Sequence, residues 1–328
     1  MGKDISRAIK RMESNFPAKK YKKGTPAQLR LSFEMDGGGT QYIDIAKALS
    51  IINRKMYRQG CYYYVNSVEY YDNDNSTVNL HVLPDTWVTR AAYRRAKALF
   101  DELNIRALET IGSGLPGTYH DFRVYMDNRH RLQATSVNPA LHTINDNYNE
   151  IVADDWDYSQ FVTADKKDGV APADEFNAHM LGPTVSTGSG ATSDVESVGI
   201  IESYKKTRAT VQSDNPNMVN LDLADPLLNI FDYSSEEVQN DVINNMNSAN
   251  DEPPYNLDQY VGEAAGHLQH VARLVTSTEV GRVTYGPGFC APLGLICVDP
   301  LESVTTPYRI VLNLLQGTYN GVYAERMA

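Results

Sequence analysis

The chain has 328 residues, 42% of them hydrophobic, with 41 acidic and 30 basic side chains for a formal net charge of −11. That length buries a full core as one large domain or two modest ones, and no apolar run approaches the ~18 residues that a bilayer span needs. We expect no signal peptide, and three cysteines (Cys61, Cys290, Cys297) without a CxxC pair argue against a disulfide framework and fit a reducing compartment.

The first 30 residues break the acidic balance. Nine basic side chains (Lys3, Arg7, Lys10, Arg11, Lys19, Lys20, Lys22, Lys23, Arg30) stand against Asp4 and Glu13, a net of +7, so residues 31–328 carry −18. A short polycationic arm on an acidic body meets a polyanion that the body repels. Ile5, Ile9, Met12 and Phe16 lie at helical spacing, so residues 1–16 read as a basic amphipathic helix or a disordered tail. Pro17 ends it and Lys19–Gly24 follows as a charged tether.

From Leu29 the period becomes two. Leu29, Leu31, Phe33 and Met35 alternate with Arg30, Ser32 and Glu34, a half-buried strand closed by Asp36-Gly37-Gly38-Gly39. A short strand at Tyr42–Asp44 leads into a helical stripe of Ile45, Leu49, Ile52 and Met56, stopped by Gly60. Cys61–Tyr71 is aromatic and β-branched enough to be a strand, and Asp72–Asn75 turns it into Thr77–Leu83 as a hairpin. Asp85 or Thr86 caps a helix running to about Asn104, with Arg90, Arg94, Arg95 and Lys97 on a face that reads as solvated, the alternatives being a second polyanion contact or an intersubunit ion pair. Beyond residue 105 the chain reads as loop-rich, with strand candidates at Asp121–Met126 and near Leu132. Residues 145–195 are polar and acidic, and Pro183–Ser193 reads as an exposed loop. A helix is expected from Ser234 or Ser235 to Met246, with Val238, Val242 and Met246 on one face. Strands return at Leu268–Val275, Gly281–Tyr285, Leu293–Val298 and Tyr308–Leu315. Strands at both ends, with helices and long loops between, fit a mainly β fold, a β-sandwich with elaborated loops.

Signals for chemistry are weak. Gly112-Ser113-Gly114-Leu115-Pro116-Gly117 has the spacing of a dinucleotide loop, but a helix precedes it and Pro116 interrupts it, so a plain turn is expected. His267-Leu268-Gln269-His270 lacks the glutamate and the spacing of a zinc helix. Asp72-Asn73-Asp74 and Asp154-Asp155-Trp156-Asp157 are carboxylate-rich enough for Ca²⁺, yet Thr77 and Leu83 stand where an EF-hand needs glycine and glutamate. Ordinary acidic loops are the expectation, with an intersubunit Ca²⁺ as the alternative and no other cofactor. No carboxylate pair or nucleophile elbow stands out, so the chain reads as no enzyme and no catalytic residue is assigned. Met1-Gly2-Lys3-Asp4-Ile5-Ser6 fits the loose myristoylation pattern, and an acyl chain plus a polybasic patch is a workable membrane anchor.

Tyr42–Gly60 (strand, then a helix ending in Arg58-Gln59-Gly60) and Leu83-Pro84-Asp85-Thr86-Trp87-Val88-Thr89-Arg90-Ala91-Ala92-Tyr93 resemble capsid proteins of environmental circular Rep-encoding single-stranded DNA (CRESS-DNA) viruses. The resemblance covers residues 29–104. It implies a single jelly roll over residues 29–328, self-assembly into an icosahedral shell of ~60 copies or a multiple, and an inward basic arm, residues 1–28, on the genome. The loops of residues 105–260 would form the outer surface and the intersubunit contacts. Under it, Lys3, Arg7, Lys10, Arg11, Lys19, Lys20, Lys22, Lys23 and Arg30 meet phosphates without reading sequence, and Tyr21 stacks on an unpaired base. The implied partners are further copies of the chain, a single-stranded DNA genome and a host receptor that the sequence does not identify, with no stable membrane insertion. The implied location is the virion, assembled in the host nucleus or cytoplasm. The arm is shorter and less Arg-dense than in many such capsids. Sixty arms bring only about 420 positive charges, so cations must balance the rest of a genome of a few thousand nucleotides. Two other readings are a myristoylated peripheral membrane or matrix-type protein and a β-sandwich carbohydrate-active enzyme.

Overall fold

The computed structural model describes residues 26–111, 120–133, 136–142, 148–150, 156–163, 174–187, 194–208, 267–277, 282–301 and 306–327. Their elements run, in chain order, β1 (Arg30–Met35), β2 (Gln41–Asp44), α1 (Ile45–Asn53), β3 (Cys61–Tyr71), β4 (Ser76–Val82), α2 (Trp87–Ile111), β5 (Tyr125–Asp127) and α3 (Asn128–Leu132). Next come β6 (Ala140–His142), β7 (Tyr148–Glu150), β8 (Gln160–Thr163), β9 (Asp174–Leu181), β10 (Val185–Thr187), β11 (Asp194–Gly199) and α4 (Ile200–Arg208). The C-terminal part holds β12 (Gln269–Thr276), β13 (Val283–Gly286), β14 (Phe289–Pro292), β15 (Leu295–Pro300), β16 (Tyr308–Leu314), β17 (Gln316–Tyr319) and β18 (Ala324–Arg326). The protein is mainly β.

Two antiparallel sheets form the main body. One has the order β1-β16-β3-β13, with β14 and β18 also paired to β3. The other has the order β12-β4-β15-β2. The period-two residues of both sheets point into one cluster: Leu31 and Phe33 from β1, Val65 and Tyr70 from β3, Ile310 and Leu312 from β16, Val78 and Leu80 from β4, Ile296 and Val298 from β15. Polar neighbours such as Ser32, Glu34 and Asn79 alternate with them toward the outside in β1 and β4, whereas β2 and β15 are buried on both faces. The arrangement is compatible with a β-sandwich.

The region read as loops from residue 105 is different. Strands β10-β11-β9-β5, with β8 also on β9, form a third, mixed sheet in which β9 runs parallel to β11 and β5. Leu132 lies in α3 rather than a strand, and α2 continues past Asn104 to Ile111. This sheet, α2 and α4 share a second core with Tyr42 of β2 and Leu295 and Cys297 of β15, through Ala92, Tyr93, Phe122, Phe161, Met180 and Ile201. Polar strand residues hide the sheet from a reading of periodicity: in β9 the fully buried His179 is satisfied by Ser197 Oγ at 2.6 Å and the Pro183 carbonyl at 3.0 Å. The first helix also ends earlier than the stripe predicts. Arg54 takes φ 51° as its C-cap, leaving Met56 outside the helix, so the stop is not at Gly60. Thr86 caps α2, accepting from the Thr89 N–H at 3.1 Å, while Asp85 turns to Arg90 and Tyr62.

Candidate functional site

Of the residues expected to meet a polyanion, Lys3, Arg7, Lys10, Arg11, Lys19, Lys20, Tyr21, Lys22 and Lys23 lie outside the described residues. Arg30 is described, and with it the root of the arm. The chain enters along α1 and β16: Lys55 Nζ donates to the Pro26 carbonyl (2.6 Å), the Gln28 N–H to Asn53 Oδ1 (2.7 Å), and the Leu314 N–H to the Leu29 carbonyl (2.9 Å). Residues 26–29 are therefore fixed before β1 begins.

Arg30 opens β1 on the outer face of the first sheet, where it pairs with Glu69 Oε2 at 2.7 Å. Burial alone would raise the Glu69 carboxyl, but hydrogen bonds from Tyr71 (2.6 Å) and Asn313 (2.8 Å), with the Arg30 cation, hold it below the usual range. Arg30 is 60% exposed, so the pair adds little to stability and leaves the guanidinium within reach of an anion in solution. Register places the rest of this face. Ser32, Val311, Glu69 and Tyr285 form one row; Glu34, Arg309, Tyr71 and Val283 form the next. Arg309 stacks over Tyr71 at 5.7 Å. Two arginines against two glutamates leave this face balanced.

The other sequence candidates are separated or satisfied. Gly112–Gly117, Asp154, Asp155 and the stretch from Ser234 or Ser235 to Met246 where a helix is expected lie outside the described residues. Asp72 is consumed by its own loop, accepting from Tyr70 (3.0 Å), Ser76 (2.5 Å) and the Asp74 N–H (3.0 Å), while Asp74 accepts from Thr306 (2.9 Å). His270 lies opposite His81 across β12 and β4, with ring centroids 5.3 Å apart, and no group of three metal-ligating side chains occurs among the described residues. The basic face of α2 is mostly paired within the molecule: Arg90 with Asp85, Lys97 with Asp101, and Arg94 with the Met327 carbonyl. The three cysteines are free, and burial pushes their thiols up, to about 11 for Cys61 and Cys290 and about 12 for Cys297. A cavity of about 580 Å³ is lined by Glu34, Asp36, the Gly37–Gly39 turn and Ser136. Neither carboxyl there is buried, and glycoside hydrolysis asks for one held in an apolar pocket.

One buried polar centre was not legible in the sequence. Asp44 caps α1 through the Lys47 N–H (3.1 Å) and takes hydrogen bonds from Gln59 (3.1 Å) and Trp156 (3.3 Å). Lys47 Nζ donates to the Ser136 carbonyl at 3.0 Å. The Ser136 hydroxyl meets His130 Nε2 (3.0 Å) and Tyr158 (2.9 Å), and His130 Nδ1 accepts from the Met126 N–H (3.1 Å). Tyr42 stacks on His130 at 4.5 Å and donates to Asp127. Burial raises the Asp44 carboxyl to about 6 and lowers the His130 imidazole to about 3, the latter aided by the Lys47 charge. Asp44 and His130 are fully buried, so no substrate reaches them. The centre ties Asp127, His130, Ser136, Trp156 and Tyr158 to β2 and α1, a positioning role.

Comparison with family models, with curated proteins and with solved structures gave no match to this chain.

Proposed function

We propose that the chain is a viral capsid protein that assembles into a closed shell and packages single-stranded DNA through its basic arm, with no catalytic role. The observation that carries this reading is the strand order. Counting β1, β2, β3, β4, β12, β13, β15 and β16 as first to eighth, one sheet runs first-eighth-third-sixth and the other second-seventh-fourth-fifth. Every pairing in both sheets is antiparallel. Two Greek keys wound in this order make a jelly roll, with β14 extending the sixth strand and residues 83–268 inserted between the fourth and fifth. Jelly rolls build capsids and lectins alike, so fold alone leaves the function open. The arm favours the capsid: +7 over residues 1–30 on a body of −18 suits a shell that holds a polyanion on one side only.

Negative-stain imaging of the purified full chain under assembly-promoting salt tests the proposal. Closed particles, with single-stranded DNA retained through the arm, are expected. Strictly monomeric protein that binds no single-stranded DNA would overturn it.

A further inference from the structure

His81 on β4 and His270 on β12 lie directly opposite each other, and β12 is the terminal strand in the order of the second sheet. Directly opposed side chains on neighbouring strands have Cβ atoms about 4.5–5.5 Å apart, so both rings stand over one patch of the sheet. Their ring centroids are 5.3 Å apart. Two imidazoles on one tetrahedral ion, each ligating nitrogen about 2.0 Å from it, hold their ring centres about 5 Å apart. The observed separation matches that of a shared metal.

The state of each ring suits a ligand. His81 is half-buried, and its Nδ1 is shut off from solvent with no hydrogen-bond partner among the described residues. A buried nitrogen left unpaired is costly, and a metal ion satisfies its lone pair. Burial first, and then the neighbouring His270, lower the His81 imidazole below its ordinary range, so at neutral pH it is in the uncharged form that ligates metals. Asp299 pulls the other way and sets a carboxylate near the pair. His270 is exposed, and the register shifts between it and Ala272, an irregularity of the kind that re-aims a side chain. Imidazole ligands select late first-row divalent ions, where carboxylate and carbonyl oxygens select Ca²⁺ or Mg²⁺. We propose that His81 and His270 hold one Zn²⁺ between β4 and β12, with water in its remaining positions. Two protein ligands make an open, exchangeable site, and the bound ion clips the terminal strand to its neighbour. His267, three positions before His270, takes no part. The proposal stands whether or not the chain forms shells.

Calorimetric titration of Zn²⁺ into the full, untagged chain, first stripped with a chelator, tests it. One Zn²⁺ per chain is expected, bound at least about tenfold more weakly by His81→Gln and by His270→Gln and equally well by His267→Gln. Melting temperatures without metal check that the variants fold. A second measurement needs no variant: electron paramagnetic resonance of the wild-type chain with one equivalent of Cu²⁺ should show two coordinated imidazole nitrogens. The proposal is overturned by absence of zinc binding or by equal affinity in all three variants. A loss in His267→Gln as large as that in His270→Gln, or a copper spectrum with a single imidazole, overturns it as well.

Discussion

Asp44 and His130 are titratable side chains with no access to solvent, joined through Lys47 and Ser136, and their effects on stability have opposite signs. The folded Asp44 carboxyl, at about 6, binds its proton more tightly than an unfolded one near 3.9, so it costs stability as pH rises from 4 through 6. The folded imidazole, at about 3, resists protonation that an unfolded one near 6.5 accepts, so it costs stability as pH falls below 6.5. Between pH 4 and 6 each contributes a slope of about 1.4 kcal/mol per pH unit, and the two cancel. Asp44→Asn should expose the histidine: relative to wild type, denaturant-derived stability falls by about 1.4 kcal/mol per unit as pH drops from 6 to 4. It should also be less stable at pH 7, because the new amide faces the Gln59 and Trp156 donors. His130→Gln should show the reverse slope. Parallel curves for wild type and both variants would show that these groups do not titrate as described.

At the scale of elements, local pattern succeeded where one strand face meets one core. β1, β3, β4 and β16 were legible because their alternation is dictated by burial between two sheets. The third sheet was not, since β9 buries His179 through partners at Ser197 and Pro183 that only the fold brings near. The site divides in the same way. The arm's charge is plain from composition, whereas Glu69, the partner that occupies Arg30, lies 39 residues away on another strand. Element ends carry two predictions. Arg54 closes α1 at φ 51°, where glycine is unstrained, so Arg54→Gly should stabilise by up to about 1 kcal/mol in thermal unfolding. A fall in the melting temperature would count against this account of the helix stop. Gly288 separates β13 from β14 along β3, and a Cβ there would sit 2.5 Å from the Asn66 carbonyl oxygen. Backbone cannot yield as a side-chain tip does, so Gly288→Ala should cost more than about 2 kcal/mol. A variant within about 0.5 kcal/mol of wild type would show that the two strands part without strain.

For the whole molecule, charge is partitioned along the chain. Eight of the basic side chains lie at or before Lys23, and among the described residues the hydrophobic clusters begin at Ala27. A cut after residue 25 keeps the Pro26–Lys55 and Gln28–Asn53 hydrogen bonds that fix the root. Where that truncation keeps its melting temperature, binding is testable without confounding loss of structure. If the eight cations each neutralise one phosphate of a single strand, log affinity should fall against log salt with a slope of about −5 to −6. Deleting residues 1–25 should leave the melting temperature unchanged, flatten that slope toward zero and lower affinity for a short single-stranded oligonucleotide by more than about a hundredfold at low salt. The acidic body predicts the flattening, because without residues 1–25 its net −17 repels the strand and only the balanced face around Arg30 remains. An unchanged slope in the truncated protein would assign binding to the folded body, and the arm would lose its role as the polyanion contact.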